Sequence, residues 1–171
     1  MNQDKSEKEI LAKRVIFRAN SGLHFLDQCL THIHRGGTDA AFSRSLYILL
    51  SFNFELILKS RLLLASNQIK REDLIKEIKS HNLEELSKKL SENELNDINI
   101  KSIKKREDSG FTEYLVEMDN GNNIILQDLI DIRYDFEKDN LRKIDPNEAD
   151  RMQNEIEILF EVAKKIMKIV E

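Results

Sequence analysis

The stretch FNFELILKSRLLL, residues 52–64, decides the fold. It is apolar nearly all round a helix, which is typical of the centre of a helical bundle rather than of an amphipathic surface helix. Glu55 and Lys59 interrupt it one helical turn apart, in the acid-before-base order that favours an ion pair. Because a charge inside an apolar core must be paired or belong to a site, these two residues are the first candidates for function.

Length and composition predict one domain over residues 1–171, since 40% of the residues are hydrophobic and can form a substantial core. The net charge of -4 gives no broad basic surface, so any contact with nucleic acid would be local. The single Cys29 excludes an intramolecular disulfide, and the first residues do not resemble a signal peptide, which favours a cytoplasmic location. Charges interrupt the apolar run 46–65, so we expect no membrane contact.

The first helix is predicted over residues 6–35. Its apolar residues alternate spacings of four and three, which is typical of a seam that faces a partner helix. They are Ala12, Ile16, Ala19, Leu23, Leu26, Leu30 and Ile33. Gly36-Gly37 should end this helix, and Thr38 or Asp39 can cap a second helix over 39–66. So short a connection predicts antiparallel neighbours.

The middle of the chain predicts smaller elements. A short helix is expected over 71–79, and a capping box of Asn82 and Glu85 opens another that extends to about residue 90. Apolar segments 114–118 and 123–126 flank Asp119-Asn120-Gly121-Asn122, which predicts a β-hairpin at about 111–126. An earlier strand over 98–104 could pair with this hairpin across a polar loop at 105–110.

Helical periodicity returns at Gln127, and Arg133 and Asn140, seven residues apart, share one side of the predicted helix. Asp145 and Pro146 then mark the start of a last helix. Its seam consists of Met152, Ile156, Leu159, Ala163, Ile166 and Val170. Together these elements predict a mainly α fold: an up-and-down bundle of four to five helices, with a small β-hairpin inserted before the penultimate helix.

Three short motifs occur in order: FELILK at 54–59, HNLEEL at 81–86 and IRY at 132–134. This set resembles the HEPN superfamily of helical nucleotide-binding domains. The resemblance implies a homodimeric helical bundle in a prokaryotic toxin-antitoxin or phage-defence module, in which catalytic members cleave RNA. The family's ribonuclease motif is an arginine followed, after four to six residues, by a histidine. Arg133 matches that arginine, but Asn140 occupies the position of the histidine at the longest spacing.

We therefore predict a ligand-binding groove lined by Glu55, Lys59, Arg133 and Asn140. Arg133 can hold a phosphate through its planar guanidinium, whereas the Asn140 amide can position a ligand but cannot transfer a proton. This predicts binding of RNA or a nucleotide without efficient cleavage. Arg133, Asn140 and His81 are the catalytic candidates of this groove. The alternatives are structural: Glu55–Lys59 as an ion pair, Arg133 bridging to Glu137 or Glu55, and His81 capping or packing.

No metal site or cofactor is expected. His24, Gln28 and His32 share one helical face and His34 is near, but no carboxylate or cysteine completes a recognisable ligand set. That face is predicted to be solvated, and Cys29 to be a small core residue.

A short basic run precedes the predicted hairpin, at Lys101, Lys104, Lys105 and Arg106. Phe111 and Tyr114 are close enough in sequence to stack on nucleic-acid bases. The alternative is a solvated loop with no ligand.

Three functions remain open. The first is the HEPN-like binding component, with a protein partner encoded nearby. The second is a dimeric interaction bundle that uses the two helical seams and has no role with nucleic acid. The third is a divergent, metal-independent ribonuclease in which Arg133 works with another base, such as His81 or Asp139.

Overall fold

The computed structural model describes residues 6–34, 40–108, 111–128 and 146–171; within these, the side chains of 32–34, 40–44, 108, 111 and 146–149 are outside the description. The helices are α1 (Glu7–His34), α2 (Ala40–Ala65), α3 (Arg71–Glu77), α4 (Leu83–Ser87), α5 (Glu92–Asn96) and α6 (Pro146–Val170). The strands are β1 (Ile100–Asp108), β2 (Phe111–Met118) and β3 (Asn123–Gln127). The predicted fold class is confirmed: it is mainly α, with a small antiparallel sheet before the last helix.

Helices α1 and α2 pack side by side in opposite directions, as the sequence predicted. The Lys8 ammonium donates to the Ser66 carbonyl near one end, and the Ser60 hydroxyl donates to the Ala12 carbonyl, 2.9 Å away. Farther along, Gly22 meets Asn53 so closely that a β-carbon at position 22 would lie 2.1 Å from Asn53 Oδ1. The predicted helix end at Gly36-Gly37 and the cap at Thr38 or Asp39 lie outside the described residues.

The predicted seams of α1 and α6 form the core of this chain. Their described side chains are buried, with exposed fractions of 0% along most of both seams. Helix α6 runs antiparallel to α1, because Gln153 donates to Asp27 while Phe160, farther along α6, contacts His24, earlier on α1. The two seams that motivated a dimeric interaction bundle are therefore used inside one chain.

Helix α2 lies at the centre, which its all-round apolar character predicted. Phe54, Ile57 and Leu58 are fully buried, and the helix packs against α1, α6, α4 and β3. Among the described residues, no helix is both long enough and apolar enough to cross a membrane.

The short helices agree only partly with the predicted ones. The Asn82 side chain accepts from the Glu85 amide as expected, but Glu85 Oε2 accepts from the Ser80 hydroxyl, so the Asn82–Glu85 capping box is incomplete. Helix α4 ends at Ser87, before the expected residue 90. Helix α5 was not predicted, although Ser91 and Glu94 form a complete capping box at its start.

The β-hairpin is confirmed, and its turn places Gly121 at a φ of 83°, which favours glycine. Its strands pair Glu117 with Asn123 next to the turn. The earlier strand also exists and pairs with β2, giving the order β1-β2-β3. The predicted polar loop was wrong over residues 105–108, since β1 continues to Asp108 and Arg106 forms a cross-strand pair with Glu113. Residues 109–110 lie outside the described part of the chain. Lys105, Arg106 and Glu107 are all exposed, so both faces of this end of the strand contact solvent.

Candidate functional site

Glu55 is the centre of the candidate site. It lies in the middle of α2 with a residue exposure of only 1%. One turn later, Lys59 places its ammonium 2.7 Å from Glu55 Oε1, with 11% of its side chain exposed. The predicted ion pair is present and almost completely buried. Because a buried carboxylate is costly unless its oxygens are bonded, Lys59 is the first group that allows Glu55 to lie here.

His81 supplies the second partner from the segment between α3 and α4. Its Nδ1 lies 3.1 Å from both Oε1 and Oε2 of Glu55. The local turn explains this position: the Asn82 amide donates to the Ser80 hydroxyl, and the Asn82 side chain caps α4. Asn82 thus makes the cap, and His81, immediately before it, turns toward α2.

The resulting cluster is closed at one end and open at the other. Glu55 is inaccessible to solvent, whereas half of the His81 side chain is exposed. With a proton on Nδ1, the imidazole donates to Glu55 and its Nε2 can accept a proton or a hydrogen bond from a ligand. With both nitrogens protonated, Nε2 becomes a donor suited to a phosphate oxygen. Glu55 therefore acts as a positioning residue for His81.

The structure brings together three of the predicted site residues. Arg133 and Asn140 lie outside the described residues, as do Glu137 and Asp139, so the arginine end of the predicted groove stays a prediction. Within the described part of the chain, no group of three or more histidine, cysteine, aspartate or glutamate side chains could hold a metal ion.

The histidine-bearing face of α1 holds an aromatic contact. The His24 and Phe160 ring centroids are 4.7 Å apart, with the planes tilted by 52°. Gln28 is exposed, and the side chains of His32 and His34 are outside the description. Cys29 is half-buried against the core, and burial raises the pKa of its thiol, which disfavours a nucleophilic thiolate.

Two of the four basic residues of the run on β1 form cross-strand ion pairs. Lys104 lies 3.3 Å from Glu117, and Arg106 lies 3.0 Å from Glu113. The suggestion that Tyr114 stacks on bases was wrong, because its ring is buried and its hydroxyl donates to Asp128 Oδ2 at 2.6 Å. Burial, followed by that hydrogen bond, raises the pKa of Tyr114. The side chain of Phe111 is outside the description.

Glu155 is a buried carboxyl that the sequence interpretation missed. It is 2% exposed; Oε1 accepts from the Ile125 amide at 3.3 Å, while Oε2 has no hydrogen-bond partner among the described residues. Burial raises the pKa of Glu155 to about 7, against the smaller opposing effects of Ile125 and Arg151. A signal was present, because Glu155 falls three residues after Met152 and four before Leu159, on the apolar side of α6.

Arg61 is a second buried charge without a predicted role. Its guanidinium lies 2.8 Å from Asp97 Oδ2, which joins α2 to the end of α5, and its Nε has no hydrogen-bond partner in the part of the chain that the structure describes.

No family model matches the sequence, and comparison with curated proteins and with solved structures found no match either. The HEPN resemblance therefore stays a prediction from the three motifs.

Proposed function

We propose that the chain is a HEPN-like component of a prokaryotic toxin-antitoxin or phage-defence module that binds RNA or a nucleotide at His81. The observation that carries this proposal is the convergence of Glu55, Lys59 and His81. A buried carboxylate holds one nitrogen of a half-exposed imidazole at 3.1 Å and leaves the other nitrogen for a ligand. Orientation by a buried partner is typical of histidines that act on ligands.

Phosphate is the ligand group that best fits the proposed site. A protonated His81 can form a charge-assisted hydrogen bond to a phosphate oxygen. The Lys59 ammonium is paired with Glu55 at 2.7 Å, so ligand binding at the exposed edge of the site depends on His81. The sequence motif adds Arg133 to this edge. A guanidinium beside an imidazole would hold a phosphate through several hydrogen bonds. Asn140 would position the ligand through its amide.

We propose binding without efficient cleavage, because Asn140 occupies the position of the family's catalytic histidine. Asn140 cannot act as an acid or a base, and metal-independent cleavage of RNA needs proton transfer at both the attacking 2′-hydroxyl and the leaving 5′-oxygen. One observation favours the ribonuclease alternative: Glu55 holds His81 in the manner of a general base and its orienting carboxylate. Cleavage of labelled RNA by the parent but not by a His81→Ala variant would establish that alternative.

The binding test compares variants by fluorescence anisotropy with a labelled single-stranded RNA and a labelled nucleotide. His81→Ala and Arg133→Ala should each weaken binding by about tenfold to a hundredfold, since a charge-assisted hydrogen bond contributes about 1.5–3 kcal/mol. Lys76→Ala is the matched control, because Lys76 is an exposed cation that pairs with Asp73 on its own helix. Unchanged affinity in both site variants would overturn the proposed site.

An interaction bundle without a nucleic-acid role remains the alternative from another class. Failure of the parent protein to bind either probe would favour it. The homodimer and the nearby-encoded partner are proposals from the resemblance alone, and light-scattering mass in solution tests the first of them.

A further inference from the structure

A second concave surface lies between α1 and α6 and shares no residue with the Glu55 site. It is a groove of about 700 Å³. Its aromatic part is the His24–Phe160 pair, whose rings touch across the two helices. Phe160 is half-buried, whereas His24 is exposed. The groove therefore offers ring surface to a ligand, in a place where the apolar seam of the two helices is already filled.

Carboxylates line the same groove. They belong to Asp27, Glu157 and Glu161, and Lys164 pairs with Glu161 at 2.6 Å. Asp27 and Glu157 both accept hydrogen bonds from the neutral Gln153 amide, at 2.9 and 3.4 Å. Within the described contacts no cation neutralises these two carboxylates. The surface therefore combines ring surface with two negative charges that no described cation contacts.

We propose that this groove binds an arginine side chain in a basic segment of a partner protein. A guanidinium is planar and weakly hydrated, so it can stack on the rings of His24 and Phe160 while its N–H groups donate to Asp27 or Glu157. A lysine ammonium can pair with the same carboxylates but lacks the flat surface for stacking. RNA is disfavoured here, because the carboxylates repel phosphates. The partner at this groove is therefore a protein.

The test is fluorescence anisotropy with two short synthetic amphipathic peptides, one bearing arginine and the other lysine at the same positions. The parent should bind the arginine peptide more tightly, by about threefold or more, and lose affinity as salt is added. Glu157→Gln should weaken that binding by about threefold to tenfold, as should His24→Ala. Glu92→Gln, an exposed acid on α5, is the matched control and should bind as the parent does.

Three results would overturn the inference. They are no binding of either peptide, equal affinity for the two peptides, and equal affinity of the parent and Glu157→Gln. Light scattering tests for a different occupant, a second copy of this chain. A dimer that dissociates in a Glu157→Lys variant would assign the groove to that second copy. Since Glu157 and His24 are exposed, these substitutions should leave the fold intact, which circular dichroism can verify.

Discussion

Glu155 is a buried carboxyl group whose negative charge is poorly stabilised by its surroundings. It is buried beneath β3, with one oxygen unbonded and Arg151 Nε 3.8 Å from the other. Arg151 also donates a hydrogen bond to the Tyr47 hydroxyl, at 3.3 Å. Ionised Glu155 thus receives weak compensation for its lost hydration. At the residue scale, burial without a matched cation distinguishes Glu155 from Glu55, which has both an ammonium and an imidazole.

The Glu155 pKa predicts a pH dependence of stability. The unfolded carboxyl ionises near 4.5 and the folded one near 7, so the free energy of unfolding should fall as pH rises between these values. The difference corresponds to about 3 kcal/mol as an upper bound. In Glu155→Gln, most of this fall should disappear, and urea unfolding at pH 5 and pH 8 measures it. Glu72→Gln, an exposed acid on α3, should keep the parent's slope; an unchanged slope in Glu155→Gln would contradict the assignment.

At the scale of elements, the packing of α1 on α2 depends on one small residue. A β-carbon on Gly22 would overlap the Asn53 side chain, which is itself buried and donates to the Leu49 carbonyl at 2.8 Å. Glycine at a helix interior costs about 1 kcal/mol relative to alanine, so its presence here is explained by the close approach of the helices.

Gly22→Ala should therefore destabilise the protein by about 1–2 kcal/mol, because overpacking exceeds the gain in helix propensity. Thermal unfolding measures the change. Ser21→Ala, the exposed neighbour on α1, gains propensity without the clash and should be neutral or slightly stabilising. Gly22→Ala combined with Asn53→Ala should recover part of the loss. If the single Gly22→Ala variant were more stable than the parent, the close contact would be wrong.

The long elements could be predicted from the sequence because the spacing of their apolar residues directly reflects which side chains are buried. The seams of α1 and α6, and the hairpin turn at Gly121, each depend on residues within one segment. Helix α5 was missed although its Ser91–Glu94 capping box is visible in the sequence, since no apolar periodicity accompanies so short a helix. The predicted β1 ended too early because its charged residues were interpreted as a loop. In the structure, Glu113 and Glu117 on β2 pair with the cations of β1.

The candidate site could be predicted only in part, for a physical reason. The pairing of Glu55 with Lys59 follows from helix geometry alone. The contact between His81 and Glu55 joins residues 26 positions apart, and no local pattern specifies it. The motif resemblance placed His81 among the candidates, but its orientation depends on how the Ser80–Asn82 turn packs against α2.

At the scale of the whole molecule, two different surfaces serve two proposed ligands. The described helices bury one continuous core, and α2 carries the Glu55–Lys59–His81 site on one side. The acidic groove belongs to α1 and α6, which pack antiparallel to each other. A phosphate-bearing ligand at one surface and an arginine-bearing protein at the other would be bound by separate sets of charges. A substitution at one surface should therefore abolish binding there without changing binding at the other.

The most direct test of the central claim follows the imidazole resonances by NMR while a short single-stranded RNA or a nucleotide is added. The proposal predicts that the ring signals of His81 shift with saturable binding, while those of His24, in the groove between α1 and α6, stay in place. In Glu55→Gln, where the orienting carboxylate is lost, the shift should require more ligand. Binding that leaves the His81 ring unperturbed would contradict the account, because the ligand would then lie elsewhere on the protein.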